Sequence, residues 1–85
     1  MSVLEGVMMS KEALDDLKWN YNHNLNRYLN GCLYCVKHPS ETDKWLKELL
    51  NILNNMNMLI EEIEKYQTVT ENEILKGFTK EAIER

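Results

Sequence analysis

Lys37-His38-Pro39-Ser40 divides the chain into two long apolar-periodic stretches, and its reading decides the fold. A residue that precedes proline is pushed out of the α region, so a helix arriving at His38 must stop there. Upstream, Leu14, Leu17, Tyr21, Leu25, Tyr28, Cys32 and Cys35 recur at steps of three and four, the spacing that stacks side chains on one helical face. This predicts helix 1 over residues 11–36. Ser10 is a suitable N-cap for it, Asp15 and Asp16 suit the positive end of its dipole and Lys37 the negative end. Gly31 interrupts the pattern at a cost of about 1 kcal/mol relative to alanine, which marks a weak point or a close backbone approach.

Downstream, Trp45, Leu46, Leu49, Ile52, Leu53, Met56, Leu59, Ile60, Ile63 and Tyr66 form a stripe wider than a coiled-coil seam, predicting helix 2 over 41–66. Ser40 and Asp43 have the spacing of a capping box variant at its start. Lys47, Asn51, Asn54, Glu61 and Lys65 lie on the opposite, solvated face, with Glu61 and Lys65 at the supportive i, i+4 spacing. A connection this short makes the two helices antiparallel neighbours. Each would be about 38 Å long.

Thr70 and Glu73 form a capping box, with Val69 and Ile74 at the positions of a hydrophobic staple, so a third helix is expected over 71–84. It presents Ile74, Leu75, Phe78 and Ile83, and Gly77 with Thr79 is placed to split it in two. Residues 1–10 form an N-terminal segment in which Val3, Leu4, Val7 and Met8 have a short helical spacing. The expected fold is therefore all-α: one helical domain over residues 1–85, a long antiparallel helical hairpin plus a shorter C-terminal helix. A third helix that short covers only part of the hairpin, and a chain of 85 residues buries only about 60–65% of its unfolded surface. A homodimer is expected to complete the small bundle.

Composition narrows the partners. Apolar residues at 44% and charged residues at 28% describe a folded chain rather than a disordered one. The formal net charge of -4 gives a phosphate backbone no general attraction, which disfavours nucleic acid. Residues 1–9 lack a cationic start and a continuous apolar run, and no stretch approaches the length of a membrane span. A cytoplasmic location with reduced cysteines is expected. The asparagine-rich composition points to AT-rich coding, as in low-GC bacteria and their phages.

Three constellations have a chemical reading. Cys32, Cys35 and His38 have metal-like spacing, but a structural zinc site needs four ligands, and His23 lies about half a turn round from Cys32. A metal-binding dimer would have to share the site between chains; the simpler expectation is two small core residues. These thiols also sit near a helix C-terminus, where the dipole does not activate them. Glu61, Glu62 and Glu64 invite a magnesium reading like that of the acidic helices of all-α nucleotide pyrophosphatases, for which only Asp15 and Asp16 could supply the facing carboxylates. They read as a solvated surface. Thr70 to Arg85 mimics a helix-turn-helix, yet Lys80, Glu81, Glu84 and Arg85 offer one acid per base and no Asn or Gln for adenine, so a small DNA-binding regulator is the weaker alternative.

The back of helix 1 carries the most informative surface. Trp19, His23, Arg27, Asn30 and Tyr34 fall near one line, roughly opposite the Leu14 to Cys35 seam. Trp, Tyr and Arg are enriched at binding hot spots. Either the termini fold over this stripe or another protein does. With no catalytic motif, metal or cofactor indicated, the expected function is non-enzymatic: a protein-interaction module, such as a small regulator or inhibitor encoded by a phage or other mobile element.

Overall fold

The computed structural model describes residues 10–83, so the spacing noted at Val3 to Met8 and the end of the third helix at residue 84 lie outside the described residues. Helix α1 spans Lys11–Lys37, a single 3-10 turn spans Pro39–Glu41, and α2 spans Thr42–Glu64. Two short helices follow, α3 at Glu71–Lys76 and α4 at Lys80–Ile83, and no strand occurs among the described residues. The molecule is an antiparallel hairpin of two long helices, 55 × 26 × 20 Å, with a C-terminal layer against one end.

The ends of α1 follow local chemistry. The Ser10 hydroxyl accepts from the Ala13 amide at 3.1 Å, giving one orphan donor of the first turn a partner. At the other end His38 leaves the helical region ahead of Pro39, and its amide still reaches the Tyr34 carbonyl. The start of α2 departs from expectation. Its N-cap is Glu41, with no side-chain bond, in place of a Ser40 and Asp43 capping box. Pro39 takes the first position of a 3-10 turn, where its missing amide costs nothing, and Ser40 is absorbed into that turn. The helix also ends at Glu64, two residues early, and Lys65 pairs with Glu62 at 3.0 Å instead of with Glu61.

The core follows the two stripes. Tyr21, Leu25, Ile52, Met56 and Ile63 are buried, with Leu14, Leu17, Tyr28, Leu59 and Ile60 packed around them. Tyr21 is 1% exposed and Ile63 is 0% exposed. Full burial of such side chains stabilises the fold by about 1.5–3 kcal/mol each. Gly31 serves the close approach: a Cβ there would stand 2.5 Å from Cδ2 of Leu49 on α2. Nearer the turn the α2 stripe rises out of the core, leaving Trp45 and Leu46 exposed, and Leu50 outside the stripe is exposed as well.

The C-terminal segment is locked onto the open end of the hairpin. The Thr70 capping box forms as expected, Thr70 Oγ1 accepting from the Glu73 amide and Glu73 Oε1 from the Thr70 amide. Thr70→Ala is expected to cost about 1 kcal/mol. A urea unfolding midpoint unchanged by that substitution would contradict the assignment. Gly77, at φ 90°, then ends α3, and Thr79 Oγ1 caps α4 by accepting from the Ala82 amide. The break changes which residues are buried. Phe78 and Ile83 enter the core, while Ile74 and Leu75 stay exposed, contrary to the single apolar face expected of one helix.

Two polar side chains of α1 hold this segment. Asn22 Nδ2 donates to the Phe78 carbonyl at 2.8 Å, and its Oδ1 accepts from the Phe78 amide at 2.7 Å. Lys18 is 5% exposed, its ammonium donating to the Ala82 carbonyl at 2.7 Å and standing 5.9 Å from the Phe78 ring centroid. Tyr21 donates its hydroxyl to the Ile74 carbonyl, and burial raises its pKa. No helix among the described residues is long and apolar enough to cross a membrane.

Candidate interaction surface

All five residues of the Trp19 to Tyr34 stripe are exposed, and the structure divides them between two grooves. At the lower end, Trp19 stacks on His23 one turn later, with ring centroids 6.2 Å apart and planes 21° from parallel. These two face the C-terminal segment. Together with Asn22, Asn26, Phe78, Lys80 and Ile83 they line an open groove of about 440 Å³. Trp19 remains 54% exposed, so the C-terminal segment borders the stripe and leaves the indole uncovered.

At the upper end, Arg27, Asn30 and Tyr34 face α2 across a groove of about 320 Å³ floored by Gly31, Leu49 and Ile52. Tyr34 is the centre of an aromatic group. It stands edge-on to Trp45 at 5.9 Å and packs against the His38 ring at 4.4 Å. Its hydroxyl donates to Glu41 at 3.0 Å, and that bond is the main cause of its raised pKa. Arg27 reaches Glu48 at 3.6 Å, an exposed pair that contributes at most about 1 kcal/mol. The upper residues therefore flank the seam with α2 instead of lying opposite it.

Trp45 is the functional candidate that the sequence reading placed elsewhere. Its spacing matches the α2 core stripe, yet it is 38% exposed at the groove mouth beside Tyr34. Its position in the first turn of α2, close to the proline break, is the signal that separates it from the deeper members. A second missed feature is the line Leu29, Leu33 and Val36, 46%, 58% and 75% exposed, which continues beside the α1 seam at steps of four and three.

The other constellations disperse within one chain. Cys35 is buried and Cys32 half-buried, both as free thiols. Cys32 lies against Tyr28, whose pKa it raises, first by charge and then by a hydrogen bond. His38 is engaged with the Tyr34 ring. Among the described residues no three His, Cys, Asp or Glu side chains converge as metal ligands. Asp15 is 5% exposed, whereas Glu61 and Glu64 face solvent and Glu62 is paired with Lys65. In the helix-turn-helix region, α3 has 6 residues and the described part of α4 has 4, and α4 turns Ile83 into the core.

Compared with protein-family models, curated proteins and solved structures, the chain matches none. Its chemistry is read from its own surface. That surface has two open grooves of mixed polar and apolar lining, each with a half-exposed tryptophan at its mouth, Asn22 and Asn26 edging the lower one and Asn30 the upper. An indole or phenol that is half wet in the free protein can be buried by a partner, and its polar edge can still bond.

Proposed function

We propose that this chain is a non-enzymatic interaction module, a small regulator or inhibitor that acts by docking on another protein through the stripe Trp19, His23, Arg27, Asn30 and Tyr34, extended by Trp45. The observation that supports it is the exposure of Trp19, Tyr34 and Trp45, at 54%, 39% and 38%, beside grooves that an α-helical scaffold already holds in shape. Rigid aromatics presented without an ordering cost are the usual source of binding energy at such surfaces. Asn26, Asn30 and the Arg27–Glu48 pair supply a polar rim for orientation. Self-association of two copies, through a face other than this stripe, is the second part of the proposal.

The test is the double variant Trp19→Ala, Tyr34→Ala, with the partner captured from the native host. Hot-spot truncations cost about 2 kcal/mol or more each, so affinity measured by calorimetry is expected to fall at least about 100-fold. Helicity should not change, because neither side chain belongs to the core. Affinity equal to that of the unaltered chain would end the assignment of this surface.

A further inference from the structure

The C-terminal layer covers only the lower part of the hairpin. Its top edge is Gly77 and Phe78, level with Asn22 and Leu25 on α1. Above that level, among the described residues, nothing covers the two helices of the hairpin. Stepping 100° per residue, Leu29, Leu33 and Val36 fall in the same sector of α1 as Lys18, Asn22 and Leu25, the residues the C-terminal layer contacts lower down. The Arg27–Glu48 pair marks one flank of the hairpin. Leu29, Leu33 and Val36 on α1, and Leu46, Leu50 and Leu53 on α2, each lie roughly 120–180° round their helix from that pair, on the other flank.

Five of these six side chains are wet: Leu46 is 49% exposed and Leu50 52%, alongside Leu29, Leu33 and Val36. Leu53 and Cys32 are half-buried. No charged residue falls in the centre of this face. Asn26, Asn30 and Lys37 edge it on α1, and Asp43 and Asn57 on α2. An apolar centre with a polar rim is the anatomy of a protein–protein contact.

We infer that this upper face is the contact surface for a second copy of the chain, laid antiparallel so that each bare half-hairpin covers the other. The thickness of the molecule selects that direction. The C-terminal layer stands about one helix diameter, ~10 Å, above the face it covers. In a parallel pairing the two layers collide and hold the upper faces apart. In the antiparallel pairing each tip lies in the step above its partner's layer, α1 runs along the partner's α1, and the two-fold axis passes within a turn of Leu33.

The size of the face sets the strength. From the level of Leu25 to the turn is about 20 Å of helix. Taking the molecule's 26 Å breadth as the upper bound of the width gives on the order of 500 Å² per copy and about 1,000 Å² for the pair at most, the size class of weak, reversible interfaces. A reversible dimer with a dissociation constant in the micromolar range follows.

The inference rests on the self-association part of the proposed function and not on the aromatic stripe, and sedimentation equilibrium separates the two. The unaltered chain is expected to rise from one chain's mass toward two between about 10 μM and about 1 mM, consistent with micromolar affinity. Leu33→Glu and Leu50→Glu should each weaken association at least about 100-fold while far-ultraviolet dichroism stays the same. Because Leu33 faces its own copy, an equimolar mixture of Leu33→Glu and Leu33→Lys should regain the dimer that neither forms alone. Deleting residues 1–9, or introducing Trp19→Ala with Tyr34→Ala, should leave the dimer intact. One chain's mass at every concentration, an intact Leu33→Glu dimer, no recovery in the mixture, or loss of the dimer in either of the last two variants would overturn the inference.

Discussion

Phe78→Ala is expected to lower the unfolding free energy by about 3–5 kcal/mol, the cost of emptying a buried aromatic site. Phe78 is 5% exposed and stands edge-on to Tyr21, with ring centroids 5.7 Å apart. It is the one aromatic that the C-terminal layer contributes to the buried core. A chain of 85 residues has a total stability of only about 4–13 kcal/mol, so the loss is a large fraction of the whole. Phe78 is the largest buried side chain of this layer, so amide exchange over residues 71–83 should accelerate more than exchange in α1 and α2. Urea unfolding followed by dichroism checks the magnitude. A change below about 1 kcal/mol would mean that the site refills or that Phe78 does not anchor the layer.

Gly77→Ala should cost about 2–4 kcal/mol, through backbone strain and a displaced hydrogen-bond clamp acting together. Gly77 holds φ 90° and ψ 172°, a region essentially reserved for glycine. A Cβ there would stand 2.6 Å from the Asn22 carbonyl oxygen, the atom that accepts from the Phe78 amide. Moving Asn22 aside also breaks its bond to the Phe78 carbonyl, leaving two backbone groups without partners. The two positions are therefore coupled. Asn22→Ala should cost clearly less in the Gly77→Ala background than in the unaltered chain, as a double-mutant cycle measures. Strictly additive costs would show that the clash never reaches the clamp.

These two substitutions act where sequence reading was weakest. The hairpin was legible because its causes are local: a proline that stops one helix, a short connection, and two stripes with the helical period. Ser10, the Thr70 and Glu73 box, and the close approach at Gly31 were legible for the same reason. The start of α2 was misread because two local rules competed there. Pro39 at the first position of a 3-10 turn prevailed over a Ser40 cap.

The surfaces were less legible, because exposure depends on where a third element stops. The sequence pattern assigns Trp45 and Leu46 to one wide stripe with Ile52 and Ile63, and periodicity does not say which end of that stripe is covered. The Trp19 to Tyr34 line is exposed among the described residues, and its division between two grooves depends on the neighbours Phe78 and Trp45. Asp15 and Lys18 show the same limit. Both look like ordinary surface charges of α1, yet each is 5% exposed, and Lys18 spends its ammonium on the Ala82 carbonyl.

The sequence by itself determined the all-α class, the two long helices, the point where the chain reverses and the faces they turn to each other, since these follow from φ restriction at proline and a 3.6-residue period. Only the tertiary structure decided that the C-terminal segment turns at Gly77, docks by Asn22 and Lys18, and ends its cover at Leu25. Those contacts join residues more than 50 positions apart, and no local spacing encodes them. The wet upper face and the two aromatic grooves are what that cover leaves open.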